Sequence, residues 1–97
     1  MPTYIHLFSF TQQGIEHIKE GPNRLDVAKR AFAGLGGKLK EFYFVFGHHD
    51  LVVISEAPDD ATMAKIVLTF GSLGNVRSET LRAFTEEEYR KIVTALP

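Results

Sequence analysis

The stretch from Phe42 to Ile54 (FYFVFGHHDLVVI) constrains the fold of this chain more than any other segment. Two apolar runs rich in aromatic and β-branched residues flank a polar turn, which predicts a β-hairpin with its tip at residues 47–50. The first strand is apolar on both of its faces, with Phe42, Phe44 and Phe46 on one face and Tyr43 and Val45 on the other. Because a strand with one face in water alternates apolar and polar residues, we expect this sheet to be covered on both faces.

Periodicity and turn residues along the chain predict the order β-α-β-β-α-β followed by one further helix. Residues 3–10 and 76–84 have strand composition, and the hairpin supplies two more strands. Pro22 suits the first turn of one long helix, and Gly36 suits its end. In the second long helix we expect the buried stripe to be Ala64, Val67 and Leu68. This order is that of a ferredoxin-like α+β fold, and a chain of 97 residues predicts a single domain, 1–97.

Thr85 and Glu88 match a capping box that opens the final helix. That helix carries one apolar face, made of Tyr89, Ile92, Val93 and Leu96. Two helices between paired strands cover only one face of a four-stranded sheet. We therefore expect the second face to pack against another copy of the chain, with the final helix covering part of that face or clasping the neighbouring subunit.

Charge and composition exclude several classes of protein. The formal net charge is −1, which argues against binding of nucleic acid or of an anionic membrane surface. There is no cysteine, so disulfides and thiolate metal sites are excluded. No apolar run approaches the roughly 20 residues that span a bilayer. We expect a cytoplasmic protein that uses no cofactor.

The hairpin turn is the first candidate site. Gly47 favours a positive φ, and Asp50 is expected to accept hydrogen bonds from N–H groups of the turn. His48 and His49 are not required by a turn, and two imidazoles that titrate near neutrality can bind an anion, move a proton or ligate a metal. Solvated loop histidines are the alternative interpretation.

His6 lies in the first strand and is the second candidate. It is either a partly buried histidine hydrogen-bonded to a backbone carbonyl, or a base or ligand contact in a pocket between the sheet and its cover. A metal site made of His6, His48 and His49 lacks the spacing typical of such sites, so we expect no metal.

Arg77 and Arg82 in the last strand are the third candidate. Strand alternation places Arg77 and Glu79 on one face and Arg82 on the other. One interpretation is an edge strand with salt bridges. The other is that one of the arginines binds a carboxylate or phosphate bidentately at a pocket or an interface.

Several segments together make the chain resemble the GYD domain family. They are Gly14-Ile15, residues 22–26 (PNRLD), residues 47–53 (GHHDLVV), residues 71–77 (GSLGNVR) and residues 80–84 (TLRAF). The chain keeps the glycine and aspartate of the Gly-Tyr-Asp motif as Gly47 and Asp50, but has histidines between them. The resemblance implies a dimeric α+β barrel, in which two sheets pack face to face.

Three hypotheses for function remain. The first is a homo-oligomer, at least a dimer, that binds a small polar or anionic metabolite between sheet and helices or at the subunit interface. His6, the turn residues 47–50 and Arg77 or Arg82 would supply its polar contacts. The second is a cofactor-independent enzyme resembling the isomerases and monooxygenases of the dimeric α+β barrels, with His6 or His49 as the catalytic base. The third is a structural oligomer whose histidines have no chemical role.

Overall fold

One antiparallel sheet organises the chain, and a computed structural model describes all of residues 1–97. Its strands are β1 (Thr3–Phe10), β2 (Lys38–Phe44), β3 (Leu51–Glu56) and β4 (Val76–Ala83). The helices are α1 (Gln12–Glu16), α2 (Gly21–Gly34), α3 (Asp60–Ser72) and α4 (Glu86–Thr94), with a 3-10 turn at Ile18–Glu20. The strand order is β2-β3-β1-β4. This is the predicted ferredoxin-like α+β fold with an additional C-terminal helix.

Strand register divides the sheet into two faces of different character. On one face His6 lies between Val53 and Thr80, and this face packs against the helices. On the other face Ile5 lies between Ile54 and Leu81. We call this second face the open face, and its apolar residues are Ile5, Leu7, Tyr43, Val52, Ile54 and Leu81. None of these six side chains is fully buried, so the open face has no cover within the chain.

The hydrophobic core lies between the sheet, α3 and the C-terminal part of α2. Its buried residues are Tyr4, Phe32, Ala57, Met63 and Ile66. The predicted stripe of α3 was therefore wrong in part: Val67 packs at the edge of the core, but Ala64 is exposed and Leu68 is 72% exposed. Two stripes of helical spacing run along this helix, and the one with the larger side chains packs against the sheet.

The ends of the elements follow local chemistry. The Asp59 side chain accepts a hydrogen bond from the backbone N–H of Thr62 at the start of α3. The capping box is present, with Thr85 and Glu88 bonded to each other's backbone N–H. Strand β2 was predicted to reach Phe46 but ends at Phe44, because Phe44 pairs with Leu51, the first residue of β3.

Helix α4 extends away from the rest of the molecule. None of its residues is buried, and Tyr89, Ile92, Val93 and Leu96 are 62%, 48%, 45% and 64% exposed. The radius of gyration is 14.6 Å, against about 12.5 Å for a compact domain of this length. Helix α4 therefore does not seal the open face of its own chain. None of the helices has the length and apolar character needed to cross a membrane.

Candidate functional site

A cavity of about 450 Å³ lies on the helix-packed face, between α2 and the β2–β3–β1 part of the sheet. Of the 19 residues that line it, 15 are hydrophobic. The sheet contributes Phe8, Phe42 and Phe44 among others, and α2 contributes Leu25, Ala28 and Phe32. The helix-packed face thus has a packed core beneath α3 and a cavity beneath α2.

The hairpin that dominates the sequence forms one wall of this cavity. Phe42 and Phe44 line it, whereas Tyr43 between them points to the open face opposite Val52. Both faces of β2 are therefore apolar for different reasons. One face of the strand borders a cavity, and the other belongs to the open face.

Arg24 is the only charged residue of the cavity lining. Its Nη2 donates to Oε2 of Glu20 at 3.3 Å, one turn earlier, and its side chain is 31% exposed. A guanidinium beside apolar walls is unfavourable without hydrogen-bond partners. Arg24 has five N–H donors and pairs Nη2 with Glu20, so it is able to bind a further acceptor. Spacing along the sequence points to this residue. Arg24 is four positions before Ala28, so it lies on the side of α2 that carries the apolar residues Leu25, Ala28 and Phe32.

Asn75 is the polar, uncharged side chain of the cavity lining. Its backbone carbonyl accepts a hydrogen bond from the N–H of Thr11 at 3.2 Å, and its Oδ1 accepts one from Nε2 of Gln13 at 2.9 Å. Gly14 permits this contact, because a Cβ there would lie 2.0 Å from the carbonyl oxygen of Asn75. The first helical turn and the loop before β4 are therefore fastened together beside the cavity.

His6 lies in the middle of β1 and does not line the cavity. It is 1% exposed, with Nε2 2.6 Å from Oγ of Ser55 and Nδ1 2.9 Å from Oγ1 of Thr80. Burial lowers the pKa of His6 to about 4, because a charged ring would lose its hydration. His6 is thus a neutral ring near pH 7 within the core. The expected hydrogen bond to a backbone carbonyl was wrong, because both ring nitrogens contact side-chain hydroxyls.

The turn lies at one end of the sheet and is held by Asp50. Gly47 has φ +110°, as expected of the glycine at this position. The carboxylate of Asp50 accepts a hydrogen bond from the backbone N–H of Phe10 at 2.8 Å, so it bonds to β1 and not to N–H groups of the turn. His48 is exposed, whereas His49 is partly buried and its Nδ1 is enclosed without a hydrogen-bond partner.

The two arginines of β4 lie on opposite faces, as predicted. Arg77 is exposed on the open face, opposite Ser9. The guanidinium of Arg82 lies over the rings of Phe84 and Tyr4, with its Cζ 4.6 Å and 5.8 Å from their centroids. The Tyr4 hydroxyl donates to Asp60, and burial together with this bond raises the pKa of Tyr4 to about 12.

The predicted site residues therefore do not meet around one pocket. None of His6, Gly47, His48, His49, Asp50, Arg77 and Arg82 lines the cavity. The turn meets β1 at Phe8 and Phe10, whereas Arg82 lies beside Tyr4 near the opposite end of the same strand. The cavity between α2 and the sheet is instead lined by aromatic and aliphatic side chains with Arg24 among them.

The sequence profile of the GYD domain matches residues 4–93 of the chain. The chain belongs to the GYD domain family. This agrees with the resemblance carried by the turn, by Gly14 and by the segments around Pro22 and Arg77.

A named protein and a crystal structure, both from the bacterium Thermus thermophilus, are similar to this GYD-domain protein. The named protein, glutamine synthetase and cystathionine beta-lyase binding protein, is 36% identical over 84 residues, which are 86% of this chain and 88% of the relative. The crystal structure superposes with a TM-score of 0.56 at 30% identity, over 88% of this chain and 95% of the other. The GYD-domain protein therefore shares both sequence and fold with these relatives over most of its length.

Proposed function

We propose that this GYD-domain protein is a homo-oligomeric binding protein that takes a small molecule into the cavity between α2 and the sheet. The observation that carries the proposal is the cavity itself, about 450 Å³ with 15 hydrophobic residues among 19. Small-molecule sites have volumes of roughly 300–1,000 Å³ and mostly apolar walls with few polar groups. Volume and lining both fall in that class.

The size of the cavity supports an occupant. The cavity is partly open to solvent, so without a ligand its aromatic and aliphatic walls are in contact with water, which is unfavourable. Water is a poor filler here because it needs two to four polar partners, and the walls offer few. An apolar ligand restores the missing contacts.

Self-association is supported by the open face and α4. The open face is an apolar sheet surface with Tyr43 52% and Leu81 42% exposed, and large exposed apolar patches mark interaction sites. A nine-residue helix such as α4 is marginal in water unless its apolar face is packed. We propose that open faces of two copies pack together and that α4 of each copy clasps the other.

Protein partners are supported by the relative that is named for binding glutamine synthetase and cystathionine beta-lyase. We propose that this chain also binds enzymes of amino-acid metabolism. Catalysis by the chain itself has less support. Both nitrogens of His6 are occupied by Ser55 and Thr80, and the ring lies outside the cavity lining.

Native mass spectrometry of the full chain tests the binding proposal. The protein, purified without denaturation, should carry a bound small molecule that departs on collisional activation. Ala28→Phe should fill the cavity and eliminate that molecule, whereas Ala64→Phe on the exposed side of α3 should retain it. If the wild-type protein carries no ligand and no compound in an apolar library raises its melting temperature, the cavity is not a binding site.

A further inference from the structure

We propose that the ligand is an organic anion with an apolar body, and that Arg24 pairs with its carboxylate. This inference rests on the proposed binding function of the cavity and names the class of ligand. It is carried by one juxtaposition: a single charged side chain, a guanidinium, stands in a lining that is otherwise aromatic and aliphatic apart from Asn75. A complementary ligand therefore has one negative group and little other polarity.

Arg24 has donors available for such a group. Its guanidinium carries five N–H donors in a fixed fork, and the structure pairs Nη2 with Glu20 only. A carboxylate matches this fork bidentately, and the bond is stronger where water is partly excluded. The Arg24 side chain is 31% exposed, compared with 63% for Glu20, so Glu20 returns to water easily when a ligand carboxylate replaces it.

The walls exclude other classes of ligand. Sugars and nucleotides carry many hydroxyl or phosphate oxygens, and these would lie unpaired against Phe8, Phe42 and Leu51. A cationic ligand would be repelled by Arg24 and meets no carboxylate in the lining. A purely apolar ligand fits the walls but leaves Arg24 with Glu20 as its only ionic partner.

The volume of the cavity limits the size of the ligand's apolar body. A cavity of roughly 150 Å³ accepts benzene, and this one of about 450 Å³ is about three times larger. It therefore suits a medium-chain aliphatic carboxylate or an arylalkyl carboxylate of roughly 10–18 non-hydrogen atoms, scaled from benzene. Phe8, Phe32 and Phe44 offer ring faces and edges to either kind of body.

Calorimetric titration of the full chain tests the ligand class. The probes are decanoate and 1-decanol, and phenylbutyrate and 4-phenylbutanol, used at pH 7.5 below their aggregation limits. Each acid should bind the wild-type protein at least about tenfold more tightly than its alcohol, since a charge-assisted hydrogen bond contributes enough for such a ratio. Arg24→Gln should reduce the ratio to near one while alcohol binding is retained.

Two further variants on and beside α2 sharpen the test. Arg30→Gln removes an exposed arginine of the same helix that does not line the cavity, and the acid preference should be unchanged. Glu20→Gln removes the competing carboxylate, and the acids should bind several-fold more tightly than to the wild type. A wild type that binds acid and alcohol equally, or an Arg24→Gln variant that keeps the preference, overturns the assignment of the anion to Arg24. A wild type that binds no probe overturns the cavity function itself.

Discussion

The carboxylate of Asp50 accepts a hydrogen bond from the backbone N–H of Phe10 at 2.8 Å, and the backbone N–H of Asp50 donates to the carbonyl of Phe8 at 2.8 Å. Phe8 is paired with Leu51, the first residue of β3, so Phe10 lies beyond the end of that strand. Asp50 thus supplies the acceptor that β3 lacks there. The aspartate of the family motif therefore has a structural role in this chain.

Replacement of Asp50 by alanine should lower the free energy of unfolding by about 1–3 kcal/mol, because the partly buried N–H of Phe10 loses its acceptor. Asp50→Asn keeps an acceptor oxygen and should lose less. Urea unfolding of both variants measures the difference. Equal losses in the two variants would show that the charge of Asp50, and not the hydrogen bond, is what matters.

Stability should fall as the pH drops from about 6.5 towards 4, because burial lowers the pKa of His6 to about 4 from 6.5. The folded state keeps His6 neutral while the unfolded state takes up the proton, so stability is complete above pH 6.5 and is lost below it. The full loss is roughly 3 kcal/mol, reached near pH 4.

The carboxylates that cap helices affect stability at lower pH than His6 does. Hydrogen bonds from the backbone N–H groups of Thr62 and Thr85 lower the pKa of Asp59 and Glu88 below the ordinary 3.8 and 4.5. Their contribution to the free energy of unfolding is lost only below those pKa values. The pH dependence of unfolding between pH 6.5 and 5 therefore reports on His6. His6→Gln should flatten the curve there. A wild-type curve that is flat over this range would contradict the burial argument.

Two glycine-to-alanine changes should have opposite signs. A Cβ at Gly14 would lie 2.0 Å from the carbonyl oxygen of Asn75, so Gly14→Ala must separate α1 from the loop before β4 and should destabilise by about 2 kcal/mol or more. Gly71, near the end of α3, has no heavy atom within 4 Å of an added Cβ. Gly71→Ala should stabilise by about 0.5–1 kcal/mol through helix propensity. Thermal unfolding of the pair gives the comparison, and the same sign in both would refute the close-contact explanation.

Charge on the open face should separate the proposed oligomer. Leu81 lies on that face next to Ile5, and Leu81→Asp would bury an unpaired carboxylate in the proposed interface. Leu68, 72% exposed on α3, offers a matched control. Light scattering should show the wild type and Leu68→Asp as dimers or larger and Leu81→Asp as a smaller species. A monomeric wild type would exclude the proposed assembly.

Features that depend on neighbouring residues were predictable from the sequence. The bounds of β1, the Thr85–Glu88 capping box and the helix end before Gly36 are all set by side chains within a few positions of each other. The order of strands and helices, and with it the ferredoxin-like fold, follows from those local signals.

Features that depend on how distant elements pack were not predictable in the same way. Periodicity allowed two stripes on α3, and only contact with Tyr4 and Phe32 selects Met63 and Ile66. His6 carried the same sequence signal whether it lined a pocket or belonged to the core, and its hydroxyl partners Ser55 and Thr80 lie 49 and 74 residues away.

The sequence by itself determined the fold, the turn with its glycine and aspartate, and an apolar strand that needs cover on two faces. Only the tertiary structure decided that one of those faces borders a cavity with Arg24 in its lining, while the histidines and the arginines of β4 lie elsewhere. The physical reason is range: caps, turns and periodicity act over a few residues, but a cavity is the space that remains when elements far apart in the chain pack together.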